Sequence, residues 1–180
     1  SEMCIRDRYD MSGNPLLMQN GQQLDYTPHI TSLFDFSNPA KSNEGVRSAK
    51  YEYANGLQGE CMDNDYVVYR YADVLMMKGE ALVRQGHADL AVPLFNEVRR
   101  RTGLEDYKAA DLTLDEIYDE RGREFAWEGL RRQDMIRFGK WSEARDLKPA
   151  VSPAYTKLYP IPANIRKTNT NLKQNDGYTD

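Results

Sequence analysis

Apolar residues recur at helical spacing through the middle of the chain, and the two flanks lack that period. Over residues 66–85, Tyr71, Val74, Leu75, Leu82 and Val83 predict a first helix that Gly86 ends. Ala72 and Gly79 are seven apart, so both lie on one side and let a neighbour approach. A second helix, about 88–101, places Ala91, Leu94, Phe95 and Val98 on one stripe. Pro93 must fall near its first turn or kink it. Thr102-Gly103 ends it, with Arg99, Arg100 and Arg101 in the last turn, where the helix dipole favours cations.

Joined at Gly86-His87, these helices make a hairpin of tetratricopeptide-like character. One such unit cannot bury its own faces. Either residues 113–140 supply the next pair, or further repeats lie upstream. Thr113 opens a third helix as N-cap, with Glu116 three residues on as its capping-box partner. Leu114, Ile117, Tyr118 and Phe125 form its apolar side.

Residues 117–141 mix Arg and carboxylates with Phe125, Trp127, Met135, Ile136, Phe138 and Trp141. A solvated helix has no use for those aromatics, so the stretch reads as a packed helical corner with internal ion pairs. Glu124 and Glu128 are a like-charge i,i+4 pair that needs cations nearby. The expected network is Arg121, Glu124, Glu128, Arg131 or Arg132, Asp134 and Arg137.

Residues 10–65 are rich in Gly, Asn, Ser, Pro and Asp, and read as long ordered loop. A short helix is expected around 28–36 and an extended piece around 47–54. From Trp141 on, Pro149, Pro153, Pro160 and Pro162 punctuate an extended tail whose Leu158, Tyr159, Ile161, Ile165 and Leu172 pack back on the helices. Residues 1–9, SEMCIRDRY, carry no period, cap or turn logic and read as a non-native leader, with the native sequence continuing upstream. The architecture expected is therefore all-α: helical hairpins over 66–140, a loop-rich 10–65 and an extended tail over 141–180.

A chain of 180 residues with 40% hydrophobic and 29% charged content can build one real core. Its net charge of −4 does not attract phosphate backbones, which argues against a nucleic-acid partner. No run approaches the length and apolarity of a membrane span. Cys4 and Cys61 are far apart, as are His29 and His87, and fit no metal spacing. No nucleophile, phosphate-loop or zinc motif is present, so neither a cofactor nor catalysis is expected. Carboxylate pairs such as Asp119/Glu120 or Glu124/Glu128 read as helix salt bridges rather than an acid and a base.

Four blocks then stand in a particular order: YRYADVLMMKGEAL, LFNEVRRRTGL, DEIYDERGREFAWEGLRRQDMIRFGKW and YPIPANIRKTNTNLKQNDGY. Together they resemble the C-terminal part of the SusD/RagB family, from Tyr66 onward. The resemblance implies a mostly helical, tetratricopeptide-like fold and a non-catalytic protein. It implies a lipid anchor in the N-terminal part, on the outward face of the cell outer membrane. It also implies binding of glycans or other nutrients, and a TonB-dependent transporter as partner. A free-standing helical-repeat scaffold is the alternative, against which the long loops and the Pro/Asn tail argue.

Sugar sites join aromatic platforms to amide or carboxylate partners. The one local set of that composition lies in the loop region: Tyr26, Phe34, Phe36, Tyr51 and Tyr53 with Asn55, beside Asn38 and Asn43. Twelve tyrosines in the chain fit such a surface, since the ring stacks while the hydroxyl stays wet.

Overall fold

The computed structural model describes residues 12–31, 43–45, 50–51 and 65–179. The described residues form five α-helices and two 3-10 turns, with no strand beyond isolated bridges, so the architecture is all-α. The chain divides into two compact units, Ser1–Glu128 and Gly129–Asp180. The expected leader at 1–9, most of the expected helix at 28–36 and extended piece at 47–54, and Cys4 and Cys61 lie outside the described residues.

In the first unit, α1 runs Tyr71–Arg84 and α2 runs Ala88–Arg101. α1 begins five residues later than apolar spacing suggests. Val67 and Val68 are β-branched and lose rotamer freedom in a helix, and Arg70 is extended at the N-cap. Both helices end in the same six-residue closure. His87 N–H donates to Leu82 O at 2.9 Å and Gly86 N–H to Val83 O at 3.0 Å. Gly86 supplies the left-handed φ of +84° that this closure needs, and Gly103 does the same for α2.

α1 and α2 pack as a hairpin. Met76, Ala91 and Phe95 are completely buried along their seam. Gly79 is there because of Phe95: a Cβ at 79 would sit 2.4 Å from that ring. Two residues expected on the buried stripe, Tyr71 and Val74, are instead exposed. α1 contacts both α2 and a third helix, so its buried arc is set by two neighbours and runs through Asp73, Leu75, Met76, Gly79 and Glu80. Pro93 is the sixth residue of α2, beyond its first turn, and lies exposed.

α3 runs Leu114–Glu124. Thr113 Oγ1 accepts from Glu116 N–H at 3.1 Å, which is one half of the expected capping box. Thr113 N–H donates to Asp111 O instead, while the Glu116 carboxylate takes Tyr107 and Arg123. Ile117, Tyr118 and Phe125 are buried on its apolar side, and Leu114 at the helix start is exposed.

The loop between α2 and α3 is held by the buried Asn96. Its carboxamide accepts from Tyr107 N–H at 2.7 Å and donates to Tyr107 O at 3.1 Å, as a backbone partner would. Upstream, residues 16–24 close a small turn, with Leu24 N–H donating to Leu16 O at 2.7 Å. Thr31 N–H and its hydroxyl both donate to the Glu44 carboxylate, at 2.7 and 2.9 Å.

In the second unit, α4 runs Arg131–Arg137 and α5 runs Ala163–Thr168, with a 3-10 turn at Ala154–Lys157. The tail is thus less extended than its prolines suggest. Pro162, at φ −56°, enters α5 without a side-chain cap.

Side chains stand in for a sheet partner along the tail. Ile161 N–H donates to Gln174 Oε1 at 2.8 Å, and Gln174 Nε2 donates back to Ile161 O at 3.1 Å. Asn175 Nδ2 donates to Tyr159 O, and the Tyr178 hydroxyl to Leu158 O, each at 2.7 Å. The Tyr155 and Tyr178 rings meet edge to face at 4.9 Å.

Candidate functional site

The charged residues singled out by sequence make ion pairs and ring contacts within each unit. Arg121 pairs with Asp73 of α1, their nearest atoms 2.8 Å apart but not aligned as a hydrogen bond. Both side chains are only 3% exposed, so the pairing is shielded from water. The Arg121 guanidinium also lies 4.8 Å from the Phe125 ring centroid, and Arg70 lies 4.6 Å from it.

Glu124 and Glu128 share one clasp at the C-terminal end of α3. Arg70 Nε donates to Glu128 Oε2 at 2.8 Å, and Nη2 donates to Glu124 O at 2.9 Å. Lys50 Nζ donates to Glu124 O at 2.8 Å, to Ala126 O at 3.2 Å and to the Glu128 carboxylate. Arg101 Nη2 closes the arrangement on the Glu124 carboxylate at 2.7 and 2.9 Å. Three cations therefore meet two carboxylates and the last carbonyls of α3, where the helix dipole favours positive charge. Burial pushes the Glu128 carboxyl up, but hydrogen bonds from Arg70 and Lys50 outweigh it and hold it below its usual range.

A second cluster lies between α2 and α3. Arg99 stacks over the Tyr107 ring at 3.9 Å and donates to Glu120 at 3.2 Å. Arg123 Nε donates to Glu120 at 2.7 Å and its Nη2 reaches Glu116. Burial and the flanking Glu116 and Glu120 carboxylates push the Tyr107 phenol well up. Burial raises the Glu116 carboxyl, yet the Tyr107 and Arg123 hydrogen bonds bring it below its ordinary value. The carboxylates of both clusters are held by fixed cations, an arrangement suited to holding elements together rather than to moving protons.

Arg131, Arg132, Asp134 and Arg137 belong to the second unit. Arg137 Nη2 donates to the buried Asp134 at 2.7 Å. Arg132 lies over two rings, 4.2 Å from Trp141 and 4.3 Å from Tyr159, and donates to Thr156 O and Lys157 O at 3.1 and 2.9 Å. Arg131 makes interactions of its own.

Of the expected ligand residues, Phe34, Phe36, Tyr53 and Asn55 lie outside the described residues, as does Asn38. Tyr26 is half-buried, and Asn43 spends its amide on Asp25 O at 3.0 Å. Tyr51 is 38% exposed and immediately follows Lys50 of the clasp. Burial and the Glu128 carboxylate raise its phenol, which also senses Arg70 and Tyr66.

Sequence reasoning did not pair Lys50, Arg70 or Arg101 with these carboxylates, from which they lie 78, 58 and 23 positions away. It also placed Trp127 among packed aromatics, whereas the indole is 74% exposed. Among the described residues, no group of His, Cys, Asp and Glu is arranged to hold a metal ion, and no helix is long and apolar enough to cross a membrane.

A helical hairpin, a third helix tied to it by ion pairs and a tail closed by side-chain amides are the features that the four sequence blocks encode. The model of the SusD family matches residues 8–150, and the chain belongs to that family. It is similar to the starch-binding protein SusD of Bacteroides thetaiotaomicron, 35% identical over 125 residues, which are 64% of this chain and 22% of that protein. It is also similar to SusD-like protein P38 of Formosa agariphila, 30% identical over 113 residues, covering 57% of this chain and 22% of that protein. The chain thus spans about a fifth of the length of the curated relatives it matches.

Proposed function

We propose that this chain is part of a protein that binds an oligosaccharide or another nutrient at the cell surface without transforming it. The observation that carries this reading is the family match together with 35% identity to a protein named for starch binding. The geometry supports binding over catalysis, because the clustered carboxylates are neutralised by fixed cations. Tyr26 and Tyr51, with Phe34, Phe36, Tyr53 and Asn55, supply aromatic and amide groups of the kind that sugars engage. The protein faces outward on the outer membrane through a lipid anchor in its N-terminal part, and hands its ligand to a TonB-dependent transporter.

Calorimetry of the full-length protein against a panel of soluble oligosaccharides tests the first step. Binding of at least one class with no change in the sugar is the expected result. Release of shorter products would sink the non-catalytic reading, and silence across a broad nutrient panel would sink binding. Co-purification of the transporter from outer membranes and accessibility to protease on whole cells test the partner and the location. An untouched protein that purifies alone would remove both.

A further inference from the structure

The helices of the first unit are closed in two different ways. α1 and α2 reach a left-handed residue at glycine, Gly86 and Gly103. After α3 the first left-handed residue is Trp127, at φ 65°. That backbone region is disfavoured for a bulky side chain and persists only where the surroundings enforce it.

The enforcing contacts come from far along the chain. Lys50 Nζ donates to Glu124 O at 2.8 Å and to Ala126 O at 3.2 Å, two carbonyls that precede residue 127. It also donates to the Glu128 carboxylate, which follows it. Arg70, at the N-cap of α1, donates to Glu124 O at 2.9 Å and to Glu128 Oε2 at 2.8 Å. The chain is thus gripped immediately before and immediately after Trp127.

Tyr51, the residue after Lys50, is left-handed as well, at φ 64°. Among the described residues of the first unit, Tyr51 and Trp127 are the two non-glycine residues in this conformation. One adjoins the donor of the grip and the other lies between its acceptors. A strained residue on each side of one set of bonds is what a contact under tension leaves in the backbone. The charge-assisted hydrogen bonds favour closure, and the two turns favour release.

We infer that Lys50, Arg70 and Glu128 form a spring-loaded latch that couples residues 50–51 to the C-terminal end of α3. Its closed form carries strain at Tyr51 and Trp127, and one opening frees both. What loosens one end loosens the other, and by linkage the coupling runs equally in both directions. The latch goes beyond the binding reading and does not depend on it.

The experiment uses the full-length protein, its Trp127→Gly and Lys50→Met variants and the double variant. The rate at which N-hydroxysuccinimidyl acetate acylates Lys50, read by mass spectrometry, reports one end of the latch. Amide exchange at Phe125 and Glu128, whose N–H groups donate to Arg121 O and Phe125 O, reports the other. Trp127→Gly changes no charge and relieves one turn, so it should slow acylation of Lys50, 77 positions away, about threefold. Lys50→Met should speed exchange at Phe125 and Glu128 about tenfold while leaving the amides of α2 within about twofold of the parent. With Lys50 gone the strain is already released, so adding Trp127→Gly should change exchange at Glu128 by less than about twofold. Equal or faster acylation in Trp127→Gly overturns the latch, and that reading stands even where Lys50→Met fails to fold. Exchange in Lys50→Met within about twofold of the parent also overturns it. So does a glycine effect of the same size with and without Lys50, which places the strain in the turn alone.

Discussion

Each of the two units is held together internally by its own kind of contact. In the first, polar side chains meet one another: Asp73 with Arg121, Glu124 and Glu128 with Arg70, Glu120 with Arg99 and Arg123. In the second, beyond the Arg137–Asp134 pair, polar side chains mostly meet backbone: Gln174 with Ile161, Asn175 with Tyr159 O, Tyr178 with Leu158 O and Arg132 with two carbonyls. The difference follows from where the backbone is already satisfied. Inside α1, α2 and α3 the peptide groups bond within the helix, which frees charged side chains to cross-link neighbours. A tail with little regular structure must recruit amides and hydroxyls to satisfy its own peptide groups. The C-terminal end of α3 belongs to both cases, because its last carbonyls are orphaned and Lys50 and Arg70 take them.

Breaking the comparison at its strongest point means removing one member of the buried pair. Arg121→Ala should cost about 3–5 kcal/mol, since it leaves the Asp73 charge buried and alone. A cycle with Asp73→Ala, read by chemical denaturation, should recover much of that loss, and an additive double variant would refute the coupling.

Gly79→Ala tests apolar rather than ionic fit in the same unit. The new Cβ would crowd the Phe95 ring at 2.4 Å, and overpacking of this kind costs about 1–3 kcal/mol. A smaller aliphatic residue at 95 should rescue it. An unchanged midpoint for Gly79→Ala would mean that the seam yields.

Gln174→Ala is the counterpart in the tail. Losing both bonds to Ile161 should cost about 1–3 kcal/mol. Amide exchange should rise locally, at Ile161 and Asn175, and unchanged protection there would show that the amide does not hold the tail.

The mildest lever is pH. Glu116 and Glu128 have folded-state values below the ordinary 4.5, so the stability they contribute is complete above that value. It declines as pH falls through their depressed folded values, and the pairings of the first unit weaken with it. Denaturation midpoints followed from pH 7 downward should stay flat until the ordinary carboxylate range and then drop. Glu128→Gln should lessen the drop, and an unaltered acid limb would show that this carboxylate is not linked to folding.

Much of the helical framework was legible before any coordinates. The stripe Ala91, Phe95, Val98 is local, as is the Thr113 cap, and Gly86 and Gly103 close their helices through contacts within six residues. Tyr71 and Val74 were misplaced because the buried arc of α1 depends on two partners, and period alone cannot give their directions. The short-range pairings of the charged corner were only partly legible. Arg137 with Asp134 follows helix spacing, but Arg121 with Asp73, and Lys50 and Arg70 with Glu128, join residues 48 to 78 positions apart. Composition announces that such carboxylates need cations and does not say which cations arrive.

Sequence by itself determined the all-α class, the positions of the hairpin and third helix, and the family, because helix period, caps and block order are written in near neighbours. Only the tertiary structure decided which charges pair and which side of α1 is buried. It also decided that Trp127 stands out in a left-handed turn rather than inside a core. Those outcomes depend on long-range contacts, and a charge or an aromatic ring carries no local mark of the partner that folding will bring to it.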